Sequence, residues 1–144
     1  MTHNEKALKL FWDKFNCSQA VLAAFSEELG LSEEQALNTA FCFSGGMRKG
    51  EVCGAVSGAL MVIGMKNGRS RSCEADKKAK AYSNAAEFME KFKKENGSYI
   101  CRDILGCDIS TDDGMQYAEE HHYFNNICPK MVESAVKILE DMQI

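Results

Sequence analysis

The stretch that constrains the fold most is residues 52–65, fourteen residues without a charged side chain. On a helix its apolar residues would lie all around the circumference, which is typical of a fully buried helix. It is too short to span a bilayer, which takes about twenty residues. Gly54 and Gly58 would form a face of small residues that lets another helix approach closely. The stretch therefore predicts a core helix around which the other helices pack.

The rest of the chain favours an all-α fold. Leu, Ala, Glu, Lys and Met are abundant, proline occurs once, and runs of alternating apolar and polar residues are scarce. A chain of 144 residues is long enough to bury a core as one domain. We predict a single domain over residues 1–144, a compact bundle of about six or seven helices around the central helix at 52–65.

Capping signals divide the chain into helices. Asn16 with Gln19, and Ser32 with Gln35, have the spacing of a capping box and predict helices over about 17–29 and 32–43. A long helix is predicted over 73–95, and its inner stripe consists of Ala75, Ala79, Tyr82, Ala86, Met89 and Phe92 or Lys93. Three aromatic residues near the N-terminus are expected in the core: Phe11, Trp12 and Phe15.

Charge and the N-terminal residues restrict the partners and the location. The net charge of −4 argues against a nucleic-acid or anionic-membrane partner, because phosphate contacts need clustered Lys and Arg. The first residues lack the basic and apolar regions of a signal peptide, so we expect a cytoplasmic protein. Long helices on a short chain are compatible with a homodimer.

Seven cysteines are the unusual feature of the composition. In a reducing compartment, several cysteines more often indicate metal binding or redox catalysis than structural disulfides. The number is odd, so at least one thiol lies outside any set of pairs. No C-x-x-C is present, so neither a thioredoxin-type motif nor a zinc ribbon is encoded locally. A site would have to be assembled from distant parts of the chain.

Four of the seven are predicted at the beginnings of separate helices: Cys17, Cys53, Cys101 and Cys128. A helix beginning offers unpaired N–H donors and about half a positive charge, which shifts a thiol towards thiolate. If the four helix starts converge, they form a pocket for a [2Fe–2S] cluster, a Zn²⁺ ion or disulfide chemistry.

Glycines surround the second of these cysteines. Gly45, Gly46 and Gly50 precede Cys53, and Gly54 follows it. Glycine permits a close approach of backbone amides, which would let them reach a sulfur or a cofactor. We therefore predict these four glycines as cofactor-binding residues.

Four segments carry a resemblance to a known family. They are Asn-Cys-Ser-Gln-Ala-Val at 16–21, a glycine at 46 followed by Cys-Gly-Ala-x-x-Gly at 53–58, Cys-Arg-Asp-Ile-Leu-Gly at 101–106, and Cys128. With them the chain resembles the C_GCAxxG_C_C family over nearly its whole length. The resemblance implies a small helical bacterial or archaeal protein that is redox-active through four shared cysteines. An iron–sulfur site has been suggested among related domains, and no reaction is established for the family.

The other candidate ligands are expected to lie outside the site. Cys42 lies between two phenylalanines and is expected in the core, whereas Cys73 is expected on the surface. Cys107 is a candidate to resolve an oxidised Cys101. His121 and His122 are adjacent, so on a helix they point in different directions and cannot form an i, i+4 metal pair. Solvated helix surface is the expected place for both histidines.

The residues support three hypotheses. In the first, the four cysteines hold a [2Fe–2S] cluster, or another metal centre such as zinc, and the protein transfers electrons to a redox partner protein. In the second, the protein is a metal-free thiol–disulfide oxidoreductase in which Cys53 is the nucleophile and another of the four resolves it. In the third, it is a non-enzymatic interaction module or a structural zinc protein.

Overall fold

The computed structural model describes all residues, 1–144, and confirms an all-α fold. Its helices are α1 (His3–Trp12), α2 (Cys17–Ala24), α3 (Glu33–Ala40), α4 (Gly54–Asn67), α5 (Ala75–Asn96), α6 (Cys101–Leu105), α7 (Asp112–Glu120), α8 (Tyr123–Asn126) and α9 (Cys128–Asp141). Seven of the nine have eight or more residues, and α6 and α8 are short. No helix combines the length and the apolar character that a membrane span requires.

The predicted capping signals mark real helix starts. The Gln19 side chain accepts a hydrogen bond from the backbone N–H of Asn16, at 3.0 Å, immediately before α2. Ser32 and Gln35 exchange both bonds of a capping box before α3, each at 3.0 Å. These bonds satisfy N–H groups that a helix beginning leaves without an intrahelical partner. Local sequence therefore determines where these two helices begin.

Helix α4 lies at the centre of the bundle, as predicted, and packs against α2, α5 and α9. Its small-residue face explains the close contact with α2. A Cβ on Gly54 would lie 2.5 Å from Cys17 Sγ, and a Cβ on Gly58 would lie 2.7 Å from the backbone oxygen of Ser18. No side chain larger than hydrogen fits at either position. The start of α2 is thereby pressed against the start of α4.

The structure corrects several placements. Trp12 and Tyr82 are 55% and 68% exposed rather than buried, and Cys42 is exposed rather than in the core. Phe92 of the predicted α5 stripe is buried, but the other buried residues of this helix are Ala81 and Phe88. The stripe residues Ala75, Ala79, Tyr82 and Ala86 are exposed, because the buried face is rotated from the predicted one.

The predicted helix over 17–29 is also too long. It ends at Ala24, and Ser26 then donates its hydroxyl to the Ala23 carbonyl within a turn. Serine competes for backbone carbonyls in this way, which favours turns over helix interiors. After this turn the chain reaches Ser32, which caps α3.

Candidate site at a cavity lined by four cysteines

A cavity of about 490 Å³ lies between the main core and a smaller hydrophobic cluster built on Cys101, Leu105, Ile109 and Ala118. The four cysteines predicted at helix starts all line it: Cys17, Cys53, Cys101 and Cys128. They come from four helix beginnings, at α2, α4, α6 and α9. The structure therefore brings together residues that are up to 111 positions apart in the chain (128 − 17).

Cys17 is the first residue of α2, and its sulfur lies among hydrogen-bond donors. The Cys53 thiol and the backbone amides of Gly45, Ser18 and Cys17 itself are the donors near enough to act on its charge. The missing side chain of Gly54 makes room for the sulfur, because a Cβ there would lie only 2.5 Å away. The start of α2, the glycine loop and α4 therefore all lie close to the Cys17 sulfur.

Cys53 and Cys101 lie at diagonal positions of a short antiparallel bridge between Val52 and Ile100. The Cys53 N–H donates to the Tyr99 carbonyl at 2.8 Å, and the Cys101 N–H donates to the Glu51 carbonyl at 2.6 Å. Each cysteine follows its bridge residue directly and then begins a helix. The pairing of two extended residues therefore positions two of the four thiols.

Cys128 approaches the cavity from the other side, as the first residue of α9 with Pro129 immediately after it. Proline is favoured in the first turn of a helix, because its fixed φ suits the helix and its missing N–H would have had no partner. Because proline favours the first helical position, the sequence predicts Cys128 as the capping residue, but Ile127 occupies that position. The sequence also predicts a helix that begins at Tyr99 and has Cys101 as its third residue, whereas Cys101 is the first residue of α6.

The loop before α4 contains a run of left-handed residues. The φ angles of Gly45, Gly46, Met47 and Arg48 are 65°, 63°, 58° and 61°. Glycine adopts this conformation freely, whereas each of the two non-glycine residues costs about 1–2 kcal/mol. The run turns the chain so that the Gly45 N–H reaches Cys17 and the Arg48 side chain reaches the cavity.

Only two of the four predicted cofactor-binding glycines line the cavity. They are Gly45 and Gly54. Gly46 packs against the backbone of Glu51, where a Cβ would lie 2.3 Å from the nitrogen, and Gly50 faces the Asp108 carboxylate. Gly46 and Gly50 shape the loop rather than the cavity wall.

The hydrogen bonds lower the pKa of one thiol. The bond from Cys53 is the largest effect on Cys17, and with the backbone amides it outweighs burial and lowers the pKa of Cys17 from 9.0 to about 7. The same bond, together with burial, raises the pKa of Cys53 well above its ordinary value. The two thiols therefore form an unequal pair, in which Cys17 carries the charge and Cys53 keeps its proton.

The other two thiols are held protonated. Burial, followed by the negative charge of Cys17, raises the pKa of Cys101 to about 12, and the same two causes raise that of Cys128. The expectation that all four helix starts favour thiolate was wrong for Cys53, Cys101 and Cys128. A helix start supplies donors, but the cost of burying several like charges in one cavity is larger.

The remaining candidate ligands lie elsewhere. Cys42 and Cys73 are exposed, and Cys107 is half-buried beside the smaller cluster without lining the cavity. His121 and His122 are exposed, and the ring of His121 stacks on Tyr117. No group of three or more His, Cys, Asp or Glu side chains is arranged to share one metal ion.

Sequence reasoning missed most of the cavity wall. The apolar part includes Phe11, Phe15, Ile104, Ile109, Phe124 and Met131. Two basic residues, Lys14 and Arg48, also line it. Both have a left-handed backbone, with φ of 73° and 61°. Loop residues follow no periodicity, so nothing in the sequence signalled that these two would face the thiols.

One of three comparisons with known proteins gave a match. A family model described as "Putative redox-active protein (C_GCAxxG_C_C)" matches residues 15–142, a range that contains all four cavity cysteines. The searches of curated proteins and of solved structures found no match. Because the family model covers most of the chain, the protein belongs to the C_GCAxxG_C_C family.

Proposed function

We propose that the protein is a thiol–disulfide redox protein whose working dithiol is Cys17 and Cys53. The observation that carries the proposal is the position of these two cysteines on the wall of the four-cysteine cavity, where Cys17 Sγ packs against Gly54, the residue that follows Cys53. The redox-active family is consistent with this chemistry. A dithiol also needs an electron donor and an electron acceptor, so a redox partner is part of the proposal.

The two cysteines take different roles. The Cys17 thiolate attacks one sulfur of a substrate disulfide, that S–S bond breaks, and one substrate thiolate leaves. Cys53 then loses its proton to the departing thiolate and attacks the Cys17 sulfur of the mixed disulfide. The second substrate sulfur is released as a thiolate, and a Cys17–Cys53 disulfide remains. The protein has given up two electrons and the one proton of Cys53, and the second substrate thiolate takes its proton from the solvent, so the substrate has been reduced to two thiols.

The assignment of Cys17 as nucleophile reverses the roles in the hypothesis from sequence, which gave the attack to Cys53. Two observations favour the reversal. Cys17 is half-buried whereas Cys53 is 7% exposed, so Cys17 is the more accessible of the two residues. Cys17 also receives hydrogen bonds from three backbone amides, which stabilise its thiolate. Cys53 is the hydrogen-bond donor of the pair and suits the resolving step.

The donor set supports a second candidate function, electron transfer through a metal centre. Four thiols from four helices line one cavity, and four cysteine ligands suit a [2Fe–2S] cluster or a zinc ion, but no three of them are arranged to share one ion, so binding would have to draw them together. Cys17, Cys53, Cys101 and Cys128 would hold the group, and a cluster would supply one-electron chemistry. Its ligands would have to be deprotonated, so binding would release protons from the three thiols that are now protonated.

Metal analysis and thiol counting on anaerobically prepared protein separate the two candidates. For the thiol–disulfide function we expect metal-free protein that loses two thiols per chain with a mild oxidant and regains them with a reductant. Cys17→Ser and Cys53→Ser should abolish that loss, and the exposed control Cys73→Ser should not. Stoichiometric iron with visible absorption, or stoichiometric zinc, would favour the second candidate. Reversible loss of two thiols that persists in Cys17→Ser would contradict the proposal.

A further inference from the structure

We infer that the substrate of this site is a small disulfide with an apolar body and an acidic group. The inference rests on the proposed function, because it places the disulfide at Cys17. It is carried by the composition of the cavity, which combines an apolar wall with two cations and no carboxylate.

The apolar wall indicates the body of the substrate. Aromatic side chains from α1, α8 and the turn after α1 face the cavity, together with aliphatic ones from α6 and α9. Trp12 lines the cavity and is 55% exposed, so this wall extends to the protein surface. Ligand sites are generally concave and mostly apolar, with a few polar groups that fix the orientation of the ligand. A hydrophilic disulfide would leave this wall without a partner.

The charges indicate the acidic group. Lys14 and Arg48 line the cavity, and no Asp or Glu does. Neither cation takes part in any of the five ion pairs of the chain. An arginine presents a planar set of donors that suits a carboxylate or a similar oxyanion. The cavity therefore favours an anion over a neutral or cationic molecule of the same shape.

The thiolate does not account for the two cations. Cys17 is stabilised by hydrogen bonds from Cys53 and from backbone amides, not by contact with Lys14 or Arg48. The charge of Arg48 lowers the pKa of Cys101, but burial raises that pKa by more. Arg48 also keeps an unfavourable left-handed backbone, which turns its side chain towards the cavity. Both cations are available to a ligand.

Two aromatic disulfides of similar size provide the test, dithiobis(nitrobenzoate) as the anionic probe and dithiodipyridine as the neutral one. The measured quantity is the ratio of the rate constants for the anionic and the neutral probe with reduced protein at pH 7. We expect Arg48→Gln and Lys14→Gln each to lower this ratio about five-fold, as for one partly exposed ion pair. Arg71→Gln, on an exposed loop, is the matched control and should leave the ratio unchanged.

The salt dependence of the unmodified protein gives a second test that needs no variant. The net charge of −4 would repel the anionic probe, so without local attraction its rate should rise with salt. Attraction by the two cations predicts the opposite, a rate that falls with salt while that of the neutral probe stays constant. Unchanged ratios in both variants, together with a rate that rises with salt, would overturn the inference.

Failure of the inference and failure of the proposed function give different results. Fast reaction of the neutral probe that persists in Cys17→Ser would remove Cys17 as the nucleophile, and the proposed function would fail. If the reaction depends on Cys17 but the ratio of the two rate constants is unchanged in both cation variants, the proposed function stands and only the substrate class is overturned.

Discussion

Two pairs of cysteines line one cavity, and they differ in chemistry although all four begin helices. Cys17 and Cys53, at the starts of α2 and α4, share a hydrogen bond and one negative charge. Cys101 and Cys128, at the starts of α6 and α9, are held protonated by burial and by the charge of Cys17. A helix start is therefore not sufficient for a reactive thiol.

The difference comes from the number of donors that each sulfur receives. Cys17 has a thiol and three amides, because the glycine loop and the side-chain-free edge of α4 bring their backbones close. Among the backbone amides, Cys128 receives a hydrogen bond only from its own, and burial outweighs it. Once one thiolate occupies the cavity, a second would repel it at short range. The first stabilised charge thus keeps its neighbours neutral.

The sharpest consequence is a difference in reactivity. At pH 7 about half of Cys17 is thiolate and almost none of Cys101 is, given pKa values of about 7 and about 12. We expect iodoacetamide to modify Cys17 at least about 100-fold faster than Cys101, measured by mass spectrometry of peptides. In denaturant the two rates should become similar. Similar rates in the native protein would remove the asymmetry between the two pairs.

The same asymmetry predicts how stability depends on pH. The pKa of Cys17 falls from 9.0 to about 7 on folding, so above pH 7 the unfolded chain binds more protons than the native one. Stability should therefore rise between pH 7 and 9, by roughly 2–3 kcal/mol, and this gain is lost as the pH falls back through 7. Urea unfolding at several pH values measures it, and Cys17→Ser should flatten the rise.

Cys101 predicts the opposite slope at higher pH. Its pKa rises on folding from 9.0 to about 12, so between these values the native state retains a proton that the unfolded chain loses. Stability should fall over that window, and less steeply in Cys101→Ser. A rise below pH 9 that persists in Cys17→Ser would contradict the assignment of the low pKa.

Two glycines of α4 test whether the space beside Cys17 is needed. A Cβ on Gly54 would lie 2.5 Å from Cys17 Sγ, whereas one on Gly64 would meet nothing within 4 Å. Gly54→Ala should destabilise the fold by about 1–3 kcal/mol and slow the alkylation of Cys17. Gly64→Ala, on the exposed last turn, should stabilise it by about 0.5–1 kcal/mol. Equal effects of the two substitutions would argue against close packing at the sulfur.

The smallest effect concerns the left-handed loop. Met47 has φ of 58° and an exposed side chain, so Met47→Gly should stabilise the protein by about 0.5–1 kcal/mol. Lys49 lies two residues on and is not left-handed, so Lys49→Gly should destabilise by a similar amount. Thermal unfolding of both variants checks the sign, and destabilisation by Met47→Gly would contradict the left-handed turn.

The helix starts were predictable from sequence because their causes are local. Asn16 with Gln19, and Ser32 with Gln35, mark helices through bonds between residues three apart. The charge-free stretch likewise identified α4 as the core helix. The length of α2 and the buried face of α5 were not predictable, because packing between distant elements determines both.

Of the residues that form the site, the four cysteines were predictable from the sequence, but their arrangement was not. The Val52–Ile100 bridge joins residues that are 48 positions apart (100 − 52), and no local sequence pattern indicates it. The order of the four pKa values depends on which sulfurs touch, so helix starts alone suggested four thiolates where one is favoured. Lys14 and Arg48 reach the cavity through left-handed backbones, which sequence signals poorly outside glycine. A cytoplasmic location and a homodimer stay predictions.

The most direct test of the central claim is peptide mapping of the disulfide that forms when reduced, anaerobically prepared protein receives one equivalent of a mild oxidant. If Cys17 and Cys53 are the working dithiol, we predict a single major disulfide between them, with Cys101 and Cys128 recovered as free thiols. A major disulfide that joins Cys101 to Cys128, or one that leaves Cys17 reduced, would contradict it.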